Sequence, residues 1–236
     1  MILTIDSSSL VATVAIVDEN VVIAEYTVNL KKTHSQTLLC MIDEIFKMTN
    51  LDKKSIKAIA VTNGPGSFTG LRIGAATAKG LALALDVPVI GVSTIETMAY
   101  NYNHCNKIIC PIMDARRNQV YTGLFKCENE SLETIVEPCA IAIEELISKI
   151  MKMGEEVVFL GDGVQVFDKF IDDNLTIKHY YAKQQLNRQR AATLGSIAWE
   201  KFSNKEVETG DTFAPQYLRL SQAERERMEN DKNNGK

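Results

Sequence analysis

Apolar residues open the chain in short runs and alternations and later switch to helical spacing. Residues 2 to 6 (Ile-Leu-Thr-Ile-Asp) read as a short buried strand, and 11 to 17 and 21 to 28 are apolar runs or alternations rich in β-branched residues. Asp18-Glu19-Asn20 is turn chemistry, so these segments predict a three-strand antiparallel meander. Helical spacing then predicts a helix from about 34 to 48, a buried strand Ile56 to Val61, a second helix from about 67 to 85, and a strand Val87 to Val92 after Asp86. Meander plus helix, strand, helix and strand is an α/β layer structure.

The second half repeats this grammar. A strand Lys107 to Met113 ends at Asp114, and a polar Arg116-Arg117-Asn118-Gln119 turn leads into a strand Val120 to Phe125. Another strand ends near Pro138, a helix Ile141 to Met153 follows, and Val157-Val158-Phe159-Leu160 is a buried strand. Asp6 and Asp114 each close the first strand of a meander, which predicts two diverged βββαβα units. The expected division is a lobe 1–104, a second lobe 105–210 that includes a helix Ala191 to Ser203, and a segment 211–236 that packs back on the first lobe. From Ser221 onward apolar anchors nearly vanish, so a frayed helix or disorder is expected there.

Composition narrows the function classes. With 45% hydrophobic and 24% charged residues over 236, the chain can build a full core. Net charge is −4 with Lys and Arg scattered, so no stripe able to grip a phosphate backbone is visible, and RNA would be reached only together with partners. The five cysteines show no CxxC pair or zinc spacing and read as reduced thiols. The N-terminus lacks a signal-peptide pattern, and no apolar stretch reaches the roughly 18 residues of a membrane span. A cytoplasmic protein without membrane contact is expected.

Asn63-Gly64-Pro65-Gly66-Ser67-Phe68-Thr69-Gly70-Leu71-Arg72-Ile73-Gly74 follows a strand and opens a helix, where backbone amides can cradle an anion. A GxGxxG fingerprint is missed, because Thr69 holds the third glycine position, and no Gly-Lys-Ser/Thr follows for a Walker loop. The alternative is a tight turn with Ser67 or Thr69 as helix cap. Neither reading explains Gly70, Gly74 and Ala78, spaced every fourth residue although an interior glycine costs about 1 kcal/mol against alanine. Such a strip suits a closely approaching helix. The preceding helix carries a broad apolar arc, including Leu38, Met41, Ile42 and Ile45, that serves either the chain's own core or a partner. Asp6, Asp114, Gly161 and Gly163 are the candidate nucleotide-binding residues, two carboxylates and a phosphate turn. The three histidines make no HxxxH pair, and no GxSxG elbow or cysteine-nucleophile context occurs.

Ile2 to Ser8, His34-Ser35-Gln36-Thr37-Leu38-Leu39, Asn63 to Gly74, and Pro215-Gln216-Tyr217-Leu218-Arg219 with Ala223-Glu224 together resemble the TsaB (YeaZ) family over nearly the whole chain. The resemblance implies a two-lobed fold of the actin, Hsp70 and sugar-kinase type, which is RNase H-like. It implies a non-catalytic subunit that pairs with TsaD, the enzyme that transfers a threonylcarbamoyl group to the adenosine beside the anticodon of tRNA. It further implies contact with a TsaE-like ATPase, a homodimer when TsaD is missing, and no intrinsic cofactor, with ATP or ADP left open at the subunit contact. In TsaD a motif of roughly Val-Asn-His-Met-Glu-Gly-His binds metal; here Val92-Ser93-Thr94-Ile95-Glu96-Thr97-Met98 has threonine and methionine at the histidine positions. The family's subunit contact runs through two helices, which assigns Leu38, Met41, Ile42, Ile45, Gly70, Arg72, Gly74, Ala78 and Leu81 to the partner interface. The competing readings are a nucleotide hydrolase of the same fold using Asp6 and Asp114, and a peptidase, for which no nucleophile or metal pair stands out.

Overall fold

The computed structural model describes residues 1–128 and 131–219, so the expectation for the tail from Ser221 lies outside the described residues. In the first half, β1 (Ile2–Asp6), β2 (Ala12–Asp18) and β3 (Val21–Val28) form the meander, followed by α1 (His34–Thr49), β4 (Ala58–Gly64), α2 (Phe68–Leu85), β5 (Val89–Ser93) and the short α3 (Thr94–Tyr100). The second half runs β6 (Ile108–Asp114), β7 (Gln119–Glu128), β8 (Ser131–Ala142), α4 (Ile143–Met153), β9 (Val157–Leu160), α5 (Val164–Asn174) and β10 (His179–Tyr181), and α6 (Ala191–Ser203) follows.

The first sheet has the order β3-β2-β1-β4-β5, and the second has β8-β7-β6-β9-β10. Each central strand pairs antiparallel with the next strand of its meander and parallel with the strand after the helix: β1 with β2 and β4, β6 with β7 and β9. The duplication read from the sequence is therefore present, with a fifth strand added to each unit. Helix α3, helix α5 and strand β10 were not anticipated; α5 and β10 follow the Gly161 turn, whose glycines masked the helix start.

β1 is buried on both faces, which is why its sequence runs apolar with little alternation. Leu3 and Ile5 face α1 and α2, packing with Leu38, Ile42, Ile45, Ala75 and Ala78. Ile2 faces the other way, against Leu194, Ile197 and Ala198 of α6. This corrects the expected domain division: α6 belongs to the first lobe, whose back it covers, with Gly195 allowing approach so close that a Cβ there would lie 2.6 Å from Val17 Cγ1. The stretch from Glu208 to Phe213 also packs on the first lobe. Glu208 and Val89 exchange backbone hydrogen bonds at 2.8 Å in both directions, and Phe213 is buried in the first core.

The lobes share material rather than merely touching. Ile95, Met98 and Ala99 of α3 pack with Ile109, Met113, Phe125 and Leu160 of the second sheet. The crossover before α6 is stitched to both lobes: Asn101 Nδ2 donates to the carbonyls of Leu186 and Arg188, Asn187 Oδ1 accepts from Gly161 N, and Gln189, fully buried, accepts from Ser9 Oγ.

Candidate functional site

A cleft of about 750 Å³ opens between the lobes. Its first-lobe wall is the turn after β1 (Ser8, Ser9, Leu10), His34 at the start of α1, and residues 65–68. Asp114 to Arg117, Tyr121 and Asp162 form the second-lobe wall, and residues 216–219 close one end. Asp6 is fully buried behind Ser8; its Oδ1 accepts from Ser8 N at 2.8 Å and Ser8 Oγ at 2.7 Å, while Oδ2 has no partner among the described residues. Burial raises the Asp6 carboxyl above the usual carboxylate range, the Ser8 hydrogen bonds opposing it. Asp114 keeps part of its side chain exposed, accepts from Arg116 N at 2.8 Å and pairs with the Arg116 guanidinium at 3.1 Å. Asp162 beside it is raised, again by burial.

The glycine-rich segment turns out to be a packing device. The backbone carbonyl of Ser8 occupies the space where a Cβ on Gly66 would go, that of Ser7 does the same for Gly70, and a Cβ on Gly74 would lie 2.5 Å from Ser7 Oγ. Ser67 Oγ caps the helix by accepting from Gly70 N at 3.2 Å, and Ser67 N donates to Ser8 O at 2.6 Å. The strip Gly70, Gly74, Ala78 therefore lets α2 lie against the β1 turn and the chain's own sheet. This corrects its assignment to the partner interface, because the space the glycines leave is already filled.

The same accounting applies to the candidate nucleotide residues. Gly161 N donates to Asn187 Oδ1 at 2.8 Å and Gly163 N to Ile112 O at 3.0 Å, and the amides of Ser8, Ser67 and Gly70 are likewise committed. A phosphate needs free donors at such turns. Of the four candidates only Asp114 lines the cleft; Asp6, Gly161 and Gly163 do not.

Of the remaining interface residues, Leu38, Met41, Ile42 and Ile45 are buried in the first core and cannot face a partner. Arg72 is exposed and Leu81 half-buried. The exposed positions are instead Leu39 and Met48, on opposite flanks of α1, and one stripe of α2, Arg72, Ala76, Gly80 and Leu83, with Leu83 85% exposed and a Cβ on Gly80 meeting nothing. A broad apolar arc does not say which of its edges points outward, so spacing alone selected the inward residues.

Four short motifs far apart in sequence meet at the cleft, which no spacing could reveal. Gln216 N donates to Asn63 O at 2.6 Å, and the Tyr217 and Phe68 rings lie 4.6 Å apart. The Arg72 guanidinium stacks 3.9 Å over Phe68, and its Nε donates to Tyr217 OH at 3.3 Å. Arg219 Nη1 donates to Ala115 O at 2.6 Å, tying the end of the described chain to the second lobe. Thr94 and Met98 are fully buried in core packing, and Gln189 Nε2 donates toward Met98 Sδ at 3.4 Å. Among the described residues no group of His, Cys, Asp and Glu side chains is placed to hold a metal ion, and no helix is long and apolar enough to cross a membrane. Cys110 is a buried thiol pushed up to about 12 by burial, a core residue and no nucleophile.

Comparison with known proteins adds an independent line. Residues 21–227 match the family model described as TsaD, tRNA N6-adenosine threonylcarbamoyltransferase. The tRNA threonylcarbamoyladenosine biosynthesis protein TsaB of Bacillus subtilis is 36% identical over 98% of this chain and 99% of its own length. The protein of the same name from Escherichia coli is 32% identical over 70% of this chain and 73% of its length. The solved structure of YeaZ from Pseudomonas aeruginosa superposes with a TM-score of 0.76 at 23% identity, covering 92% of this chain and 99% of that one, a likeness of fold.

Proposed function

The chain belongs to the TsaB family, and on that premise we propose that it is the non-catalytic partner subunit of the complex that transfers a threonylcarbamoyl group to the adenosine beside the anticodon of tRNA. The observation that carries the non-catalytic part is the state of α3. At the positions that match the transferase's metal-binding histidines this chain has Thr94 and Met98, both fully buried, Met98 within the core that α3 shares with the second sheet. Metal-assisted chemistry needs ligands with lone pairs facing an open position, which a buried methionine and threonine at this place do not supply.

The subunit works by docking on a TsaD-like catalytic chain through the outer face of α2, centred on Arg72, Gly80 and Leu83, with the exposed flank of α1 beside it. Glycine at position 80 leaves room for close approach of a partner helix, and the exposed apolar side chains around it gain from burial. A TsaE-like ATPase joins the complex, and a homodimer uses the same face when the catalytic chain is missing. The alternative, a nucleotide hydrolase, is disfavoured because Asp6, Gly161 and Gly163 stand outside the cleft and the amides of the two glycines are bonded within the chain.

The test is ATP-dependent incorporation of labelled threonine into tRNA, with the threonylcarbamoyl-adenylate synthase supplied. This chain alone should be inert, and its omission from a mixture of cognate TsaD and TsaE should abolish incorporation. Unchanged incorporation on omission overturns the reading; incorporation by the chain alone overturns its non-catalytic part.

A further inference from the structure

On a protein of net charge −4, cations of distant origin collect at one cleft. Arg116, Arg117 and Arg219 line it, and Lys31 and Lys32, both exposed, stand three and two residues before the cleft residue His34 of the opposite wall. The arginines of the β6–β7 hairpin are held there at a cost. Arg116, Arg117 and Asn118 have φ of 65°, 57° and 56°, left-handed values that such a turn ordinarily meets with asparagine and glycine. Each non-glycine residue in that region costs on the order of 1 kcal/mol. Arg117 has no acidic partner among the described residues, while Arg116 is partly neutralised by Asp114. Tyr121 and Tyr217 line the same cleft.

The charge is layered. Positive groups stand at the rim and the carboxylates Asp114 and Asp162 lie further in, which repels a phosphate chain from the interior while attracting one to the edge. We propose that this rim is a contact for the sugar-phosphate backbone of RNA, made by this subunit itself on the tRNA that its complex modifies. The inference rests on the proposed function for the identity of the RNA. Phosphates follow the arginine and lysine edges, and unstacked bases find the two tyrosines, the combination by which proteins hold single-stranded or looped RNA.

The test uses the reconstituted complex with unmodified tRNA transcript, its affinity followed by fluorescence anisotropy over a range of salt. Arg116→Asn/Arg117→Asn keeps residues that tolerate the left-handed turn; Lys31→Ser/Lys32→Ser is the second variant, on the other wall; Lys152→Ser on exposed α4 is the control. The arginine pair should weaken binding about tenfold and make the dependence of log K on log salt shallower by about 1.5, since each lost phosphate contact removes about 0.7–0.9. The lysine pair should act in the same direction, and the control should not. Unaltered tRNA affinity in both pairs overturns the inference. So does loss of complex assembly by size exclusion, which would make the rim a protein contact, or weakened binding of labelled ATP with tRNA affinity intact, which would make it a free-nucleotide site. Failure of the functional reading is seen separately: there, omitting the whole chain leaves threonine incorporation unchanged whatever the rim does.

Discussion

The two lobes share one strand order, and each ends its central strand on an aspartate, yet the two aspartates live in different surroundings. In the first lobe Asp6 is sealed from solvent behind Ser8, whose carbonyl and that of Ser7 press against Gly66 and Gly70. In the second lobe α5 starts against the Ile112 backbone, and Asp114 stays at the cleft beside a hairpin that turns two arginines outward. Topology fixes where a carboxylate stands; the helix after it approaches as closely in one lobe as in the other, so it is the turn after the strand, closed by Ser8 on Asp6 and opened into the Arg116–Arg117 hairpin at Asp114, that decides between core and surface.

The sharpest way to break this comparison is at α2 and its counterpart α5. Gly70→Ala forces a methyl onto the Ser7 carbonyl and should cost about 3 kcal/mol in urea unfolding, whereas Val166→Ala on α5 should stay within about 0.5 kcal/mol. An effect of Gly70→Ala as small as that of the solvent-facing Val166→Ala would mean that α2 is not seated on the Ser7 carbonyl. Gly74→Leu belongs with Gly70→Ala: it should damage the fold itself and not the pairing alone.

Next in size is the contrast between outer faces. Leu83→Glu should reduce pairing with the TsaD-like chain at least tenfold, read by titration calorimetry, with the thermal midpoint unchanged; about 1.4 kcal/mol of lost binding is tenfold. Val166→Glu, also exposed to solvent but on the second lobe, should pair as the parent does. Normal pairing by Leu83→Glu would move the interface elsewhere.

The aspartates themselves give a smaller, pH-dependent difference. Because burial raises the native Asp6 pKa, the folded state holds the proton more tightly than the unfolded chain. Its contribution to stability is therefore fully present below the ordinary carboxylate pKa and is lost as pH rises through the folded value. Asp6→Asn, which keeps an acceptor for Ser8, should thus match the parent in acid and become progressively more stable than it on going to neutral pH, then level off. A stability difference that does not vary with pH would refute the buried-charge account. The smallest effect is at Gly80, where a Cβ meets nothing: Gly80→Ala should add about 0.5–1 kcal/mol of stability, unlike Gly70 on the same helix.

Much of the fold was legible without coordinates. The apolar run of β1, the meander turn at Asp18 to Asn20, the spacing of α1 and α2, and the recurrence of an aspartate at the end of β6 are all local patterns. Local patterns suffice because periodicity and turn chemistry act between near neighbours along the chain. Placing α6 with the second lobe was an error of the same origin, since sequence proximity does not say which sheet a helix covers.

The sequence by itself determined the duplicated α/β grammar, the family resemblance, and the absence of histidines at the α3 positions. Only the tertiary structure decided that Gly70 and Gly74 admit this chain's own β1 turn, that Leu39 and Leu83 rather than Leu38 and Ile42 face outward, and that arginines far apart in sequence share one cleft. The physical reason is that close approach and summed charge depend on distances through space, which the order of residues constrains but does not state.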